Sequence, residues 1–168
     1  FNMLKPYIQI SEAFRRKQDT LHFIKKAEKD TLAVYKYPEG TLVDLNEADT
    51  TELKKIPGIG SGIARMIVAY RKRLGGFYDM AQLKEVNYVD EDMLRWFKLG
   101  NAPIHRINAN KAGLDKLRSH PYMNFYQAKV IIEYRRKKGK LKSLSQLSLY
   151  EEFTEKDLER LSHYLAFD

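Results

Sequence analysis

The chain has 168 residues, with 30 Lys plus Arg against 22 Asp plus Glu, a net charge of +8 at pH 7 and a pI near 9.5. That length suits one or two small domains rather than a large enzyme, and 43% hydrophobic with 31% charged residues allows a modest core. Zero Cys excludes disulfides, thiolate zinc sites and cysteine nucleophiles, and no apolar run approaches the roughly 20 residues that span a bilayer.

The first expected element is short. Phe1, Leu4, Tyr7 and Ile8 repeat the spacing of Leu158, Leu161, Tyr164 and Leu165 near the other end. Phe1 to Ile8 is therefore read as the tail of an upstream unit in a trimmed chain; the plainer alternative is a coincidental apolar helix end. A linking helix is expected over roughly 12 to 30, with Ser11 as its cap and Phe14, Leu21 and Ile24 on one face. Pro38 and Gly40 then break the chain.

A shift of 64 residues aligns the remainder with itself without a gap. Asn46 falls on Asn110, Leu53 on Leu117, Pro57 on Pro121 and Ala64 on Ala128. Arg71 falls on Arg135, Gly75 on Gly139 and Gln82 on Gln146. The reading is three segments: residues 1–42 as an N-terminal helical segment and linker, then two copies of one unit at 43–104 and 105–168. Each unit is expected to hold four short helices, with no strands. Asp49-Thr50-Thr51-Glu52 opens the first, and Gly113 is a weaker cap in the second copy. Helix two follows Gly60 with Ile63, Ala64, Ile67 and Tyr70 on one face, and Gly75-Gly76 ends it. Asp79 to Gln82 and Ser143 to Gln146 are capping boxes for helix three; Asp90 and Thr154 cap helix four.

Charge is uneven: +3 over 1–42, zero over 43–104 and +5 over 105–168. Basic side chains gather in two places. One is Lys54, Lys55, Arg65, Arg71, Lys72 and Arg73. The other runs from Lys116 through Lys129, Arg135, Arg136, Lys137 and Lys138 to Lys142. These could be solvated helix faces, and cations at a helix C-terminus are favoured without any nucleic acid. They could equally face a polyanion.

The stretch Leu53-Lys54-Lys55-Ile56-Pro57-Gly58-Ile59-Gly60-Ser61-Gly62-Ile63-Ala64 decides between them. Gly58 and Gly60 permit a tight turn and close approach of another backbone. The first N–H groups of the following helix have no internal partners. Amides of Gly58, Ile59, Gly60, Ser61 and Gly62 can then point outward at the positive end of a helix, a donor set for a phosphate oxygen. Lys54, Lys55 and Arg65 stand near enough to meet neighbouring phosphates. The alternative is an αα-turn used only for packing.

This stretch resembles the helix-hairpin-helix family of DNA binders. The flanking Val43-Asp44-Leu45-Asn46-Glu47-Ala48 and Tyr70-Arg71 through Gly75-Gly76-Phe77 look like ComEA-type receptor domains of bacterial competence. The resemblance implies an all-α fold of tandem helix-hairpin-helix repeats, SAM-like units of four short helices. It implies sequence-independent binding of duplex DNA through its phosphates, a role in DNA uptake or processing, and a location at the cell envelope. It also implies that some hairpins hold a monovalent cation, here on the carbonyls of Lys54, Ile56 and Ile59; no other metal and no cofactor is expected. In the second unit the hairpin reads His120-Pro121-Tyr122-Met123-Asn124-Phe125-Tyr126, with both glycines replaced, so that copy is expected to be degenerate and open to protein partners. Tyr122, Phe125 and Tyr126 are expected to be buried between the repeats, the alternative being base stacking on a single strand. Between helices three and four, Val86-Asn87-Tyr88-Val89-Asp90 lacks the glycine hairpin of that family.

No catalytic role is expected. The Lys that helix-hairpin-helix glycosylases carry just after the second Gly is replaced by Ser61 and Gly62. His22, His105, His120 and His163 show no ligand spacing. No nucleotide loop ending in Lys-Ser or Lys-Thr exists. The rival class is a structural repeat that contacts protein partners, with a membrane reached only through an anchor upstream of Phe1.

Overall fold

Each repeat starts and finishes on a two-residue strand. In the computed structural model, which describes residues 35–168, β1 (Val43–Asp44) pairs in parallel with β2 (Phe97–Lys98), Val43 opposite Phe97. Likewise β3 (Ile107–Asn108) pairs with β4 (Leu165–Ala166), Ile107 opposite Leu165. The fold is therefore mostly helical rather than all-α. Two residues cannot display alternation, so periodicity gives no sign of these strands. The expectations for Phe1 to Ile8 and for a linking helix over 12–30 lie outside the described residues.

Between its strands the first repeat carries α1 (Thr50–Leu53), α2 (Ser61–Leu74), a 3-10 helix (Met80–Glu85) and α3 (Glu91–Leu94). The second carries α4 (Leu114–Arg118), α5 (Phe125–Lys138), a 3-10 helix (Leu144–Gln146) and α6 (Glu155–Ser162). The expected caps are present. Asp49 accepts from the amides of Thr51 and Glu52, Asp90 from Met93, and Thr154 from Asp157. Asp79 with Gln82 and Ser143 with Gln146 form capping boxes, but the segments they open are tight 3-10 turns, the form suited to such short pieces. Gly75 stops α2 in the left-handed conformation, φ +92°.

Three pairs of offset-matched polar residues have matching structural jobs. The Asn46 side chain donates to Phe77 O at 2.9 Å and accepts from Phe77 N at 2.8 Å; Asn110 does the same with Leu141 at 2.9 and 2.8 Å. Arg71 Nη1 donates to Leu45 O and Ala48 O at 2.9 and 2.8 Å, and Arg135 Nη1 to Ala112 O at 2.6 Å. Gln82 and Gln146 each accept backbone N–H groups at the start of their 3-10 turns. These bonds tie the strand lead-in to the end of the long helix, satisfying backbone groups that would otherwise be buried unpaired.

Two apolar cores form around the long helices. Leu53, Ile56, Ile59, Ala64, Ile67, Leu74 and Phe77 fill the first; Leu117, Met123, Ala128, Ile131, Leu141 and Leu147 fill the second. Both belong to one unit, Lys36–Asp168. Tyr164 crosses between them. It is fully buried, packs in the first core, donates its hydroxyl to Gly76 O at 2.9 Å and accepts from Gln82 Nε2 at 2.9 Å. Gln82 Nε2 also reaches the Tyr122 hydroxyl at 2.8 Å, which donates to Glu85 at 2.8 Å. Tyr78 stacks on His163 with ring centroids 3.8 Å apart. Burial, helped by the bond to Glu85 and opposed by the hydrogen bond from Gln82, pushes the Tyr122 pKa up to about 12, so the phenol stays a protonated donor.

Candidate nucleic-acid interface

The first hairpin joins α1 to α2 through Lys54 to Gly60. Ile56 and Ile59 point into the core, each almost completely buried, and burial of such side chains contributes roughly 1.5–3 kcal/mol apiece. That anchoring turns the intervening backbone outward. Gly58 takes φ +83°, where a side chain would be strained and its Cβ would sit 3.1 Å from Met93 Cε. Gly60 is the N-cap of α2 with extended backbone and no side-chain cap.

Gly58, Gly60, Ser61 and Gly62 are exposed, and a Cβ added at Gly60 or Gly62 would meet open space. Among the described residues, the amides of Gly58, Gly60, Ser61, Gly62 and Ile63 have no acceptor. Ile59 N–H differs from the expectation: it donates inward to Ile56 O at 3.1 Å and is not available to a ligand. The donor set is thus five amides around the start of a fourteen-residue helix, with Ile59 as the plug that presents them. Such an array binds anions through aligned N–H groups and the positive helix end.

The basic side chains divide. Arg65 is exposed beside the hairpin, its Nε on Ser61 O at 3.2 Å. Lys54 and Lys55 are half-buried, and Lys55 Nζ lies 5.6 Å from the centre of the Tyr37 ring. Lys72 and Arg73 are exposed at the far end of α2, with Arg73 Nε 3.4 Å from Ser119 O. Arg71 and Arg135 are half-buried, and each turns its Nη1 onto the backbone carbonyls named above, a structural role the sequence does not mark. On α5, Lys129 and Lys137 both flank Glu133, at 3.8 and 3.5 Å, and Lys138 Nζ lies over the Tyr134 and Tyr150 rings. Arg136 is exposed.

The second hairpin keeps the inner turn bonds, His120 N to Leu117 O and Met123 N to His120 O, but Tyr122 lacks the positive φ of Gly58, and three of the five matching donors are filled. Asn124, at the place of Gly60, accepts from Gln127 N at 2.9 Å, while Gln127 Oε1 accepts from Asn124 N at 3.0 Å. Tyr122 N, at the place of Gly58 N, donates to His120 Nδ1 at 3.2 Å. His120 Nε2 lies 3.0 Å from Leu74 O in the first repeat, which places the ring proton on Nε2. Burial above all, helped by the charges of Arg73 and Lys116, lowers the His120 pKa to about 4. Tyr122 packs against both cores, but Phe125 and Tyr126 are exposed, contrary to expectation, and join neither core.

Two features were beyond sequence reasoning. One is the Lys36 ammonium, which sits on the hairpin carbonyls; nothing in its spacing marks it. The other is the left-handed backbone of Tyr88, φ +67°, at the tip between the 3-10 turn and α3. Among the described residues no three His, Cys, Asp or Glu side chains cluster in a metal-binding arrangement.

The geometry agrees with comparisons to known proteins. The profile of the helix-hairpin-helix motif matches residues 39–96 and again 103–166. The chain is similar to the Endonuclease/exonuclease/phosphatase family domain-containing protein 1 of Mus musculus, at 27% identity over 72% of this chain and 27% of the relative. The Xenopus laevis protein of that name is 25% identical over 72% of this chain and 26% of its own length. The chain thus spans about a quarter of the length of these relatives. No solved structure matches. Motifs of this kind are typical of DNA binding. With a matched motif in each of its two repeats, the chain belongs to the helix-hairpin-helix family.

Proposed function

We propose that the first repeat grips the phosphate backbone of duplex DNA without reading its sequence. The observation that carries this reading is the set of amides of Gly58, Gly60, Ser61, Gly62 and Ile63, without acceptors among the described residues, where the second repeat fills three of the five matching positions. Lys54, Lys55 and Arg65 flank these amides, and Lys72 and Arg73 extend the positive surface along α2. Among the described residues, no long exposed helix offers Asn, Gln and Arg together to a groove, so base readout has no support there.

The second repeat acts as a brace. His120, Tyr122 and Tyr164 hold it against the first repeat, and Arg136 to Lys138 add a positive surface at a distance from the hairpin. Its exposed Phe125 and Tyr126 also suit a protein contact. The chain is read as a binding module with no catalysis of its own. Between a role in DNA uptake and one in DNA processing, the similarity to an endonuclease/exonuclease/phosphatase family domain-containing protein favours processing.

Titration of an unrelated duplex at several salt concentrations tests the proposal. Affinity should fall with a log–log slope of about −0.9 for every phosphate contacted, independently of sequence. Binding that ignores salt, or that follows one sequence, would overturn it.

A further inference from the structure

Lys36 lies ahead of both repeats, yet its side chain ends inside the first hairpin. Its Nζ donates to Lys54 O at 2.6 Å, Ile56 O at 3.1 Å and Ile59 O at 3.3 Å. An ammonium has three N–H bonds and no acceptor, so the tripod uses its full capacity. The neighbouring Tyr37 N–H donates to Lys55 O at 2.8 Å and fixes the backbone from which Lys36 reaches. Among the described residues, neither Lys54 O nor Ile59 O has another donor. Converging carbonyl oxygens repel one another unless a cation lies between them, and they are the ligand set that replaces water around alkali ions.

We propose that the Lys36 ammonium is the hairpin's built-in cation, occupying a carbonyl cage that would otherwise recruit a monovalent metal ion and holding the Gly60 N–H outward. A free ion does not fit while the ammonium is in place. The link to Gly60 is covalent geometry. Ile59 C=O and Gly60 N–H belong to one trans peptide plane, so their vectors are opposed. A positive charge on the oxygen fixes the plane and polarises the N–H toward the phosphate side. The second repeat has no such lysine: Gly100 stands 64 residues after Lys36, and Asn124 N–H is held by the Gln127 side chain instead. The consequence for DNA rests on the function proposed above; the cation exchange does not.

The test compares full-length wild type with Lys36→Met and Lys36→Arg in potassium, sodium and tetramethylammonium chloride at equal ionic strength. Thermal unfolding of the free protein is read first. Wild type should ignore the choice of cation. Both variants should unfold at a midpoint roughly 3 °C or more higher in potassium than in tetramethylammonium. Lys36→Arg keeps the charge, but its planar fork cannot form the tripod, so rescue of that variant separates coordination from charge. Thallium-205 NMR should show a bound ion in the variants and none in wild type, which keeps a result even where a variant is only marginally folded. Cation-insensitive variants, or a thallium site in wild type, would overturn the proposal. Duplex binding is read last, and the affinity of the variants should recover several-fold in potassium. Cation rescue of folding without any duplex binding by wild type would instead overturn the DNA reading and leave the cation site standing.

Discussion

The two hairpins hold matching places in their repeats and differ at one backbone position, left-handed at Gly58 and not at Tyr122, and in who receives their N–H groups. In the first, glycines at 58, 60 and 62 leave the amides facing solvent; in the second, His120, Asn124 and Gln127 receive three of the five equivalents. The difference shows how one motif serves two purposes. A capped helix start is more stable, by about 0.5–2 kcal/mol for a good N-cap, and is closed to an external anion. An uncapped start forgoes that stabilisation and leaves its amides open to an external anion.

The sharpest way to break this comparison is to put one charge at the matching place in each repeat. Gly62→Glu adds a carboxylate at the second residue of α2, where the helix dipole favours it and the space is open, so folding should hold or improve. The same carboxylate should compete with phosphate and lower duplex affinity by about tenfold or more, by loss of phosphate contacts at fixed salt. Tyr126→Glu makes the equivalent change on α5, with an additional negative charge of the same size. Its affinity should stay within about twofold of wild type, since that helix start is already capped. Fluorescence anisotropy on one duplex gives both numbers. Equal losses would show that net charge alone governs binding.

A second prediction concerns what keeps the second hairpin closed. His120 is almost fully buried, accepts Tyr122 N–H on Nδ1 and meets Leu74 O with Nε2. Protonation of Nδ1 would remove that acceptor. Its folded pKa, about 4, lies below the ordinary value of 6.5. The unfolded chain therefore takes up the proton first as pH falls. Its contribution is fully present above about pH 6.5 and is lost progressively down to about pH 4, a change on the order of 3 kcal/mol. Denaturant unfolding across that range should show a steeper pH slope in wild type than in His120→Gln. Identical slopes would remove His120 from the account. A loss of duplex affinity that tracks this titration would further tie the brace to the binding repeat.

How far the sequence discloses these things differs by residue. The hairpin of the first repeat is legible because Pro-Gly-Ile-Gly combines a conformational need with an alternation of buried and open positions. The 64-residue offset is legible too, and Asn46, Arg71 and Gln82 explain why it survives: each has a counterpart that makes matching backbone bonds, Arg135 one of the two that Arg71 makes. The same logic misplaces Arg71 and Arg135, because a guanidinium that clamps carbonyls has the same letter as one that meets phosphate. The closing strands are too short to carry a pattern. The contacts of Tyr164, Gln82 and Tyr122 join positions far apart in the chain, and Lys36 reaches its carbonyls from outside the repeat. Only the fold brings such partners together.

The smallest expected effect lies at the tip between the 3-10 turn and α3. The stretch from Val86 to Asp90 holds no glycine, yet the structure places Tyr88 there in the left-handed conformation that glycine favours, at φ +67° with the side chain exposed. A left-handed conformation costs a residue with a Cβ roughly 1–2 kcal/mol, whereas glycine adopts it freely at some cost in chain entropy. Tyr88→Gly should therefore stabilise the protein by about 0.5–1 kcal/mol, read as a small rise in the unfolding midpoint. Duplex affinity separates two meanings of the strain. An unchanged affinity leaves Tyr88 as a local imperfection of the first repeat. A several-fold loss alongside the gain in stability makes the exposed ring a second contact with the nucleic acid, because strain that persists at a functional site trades stability for binding.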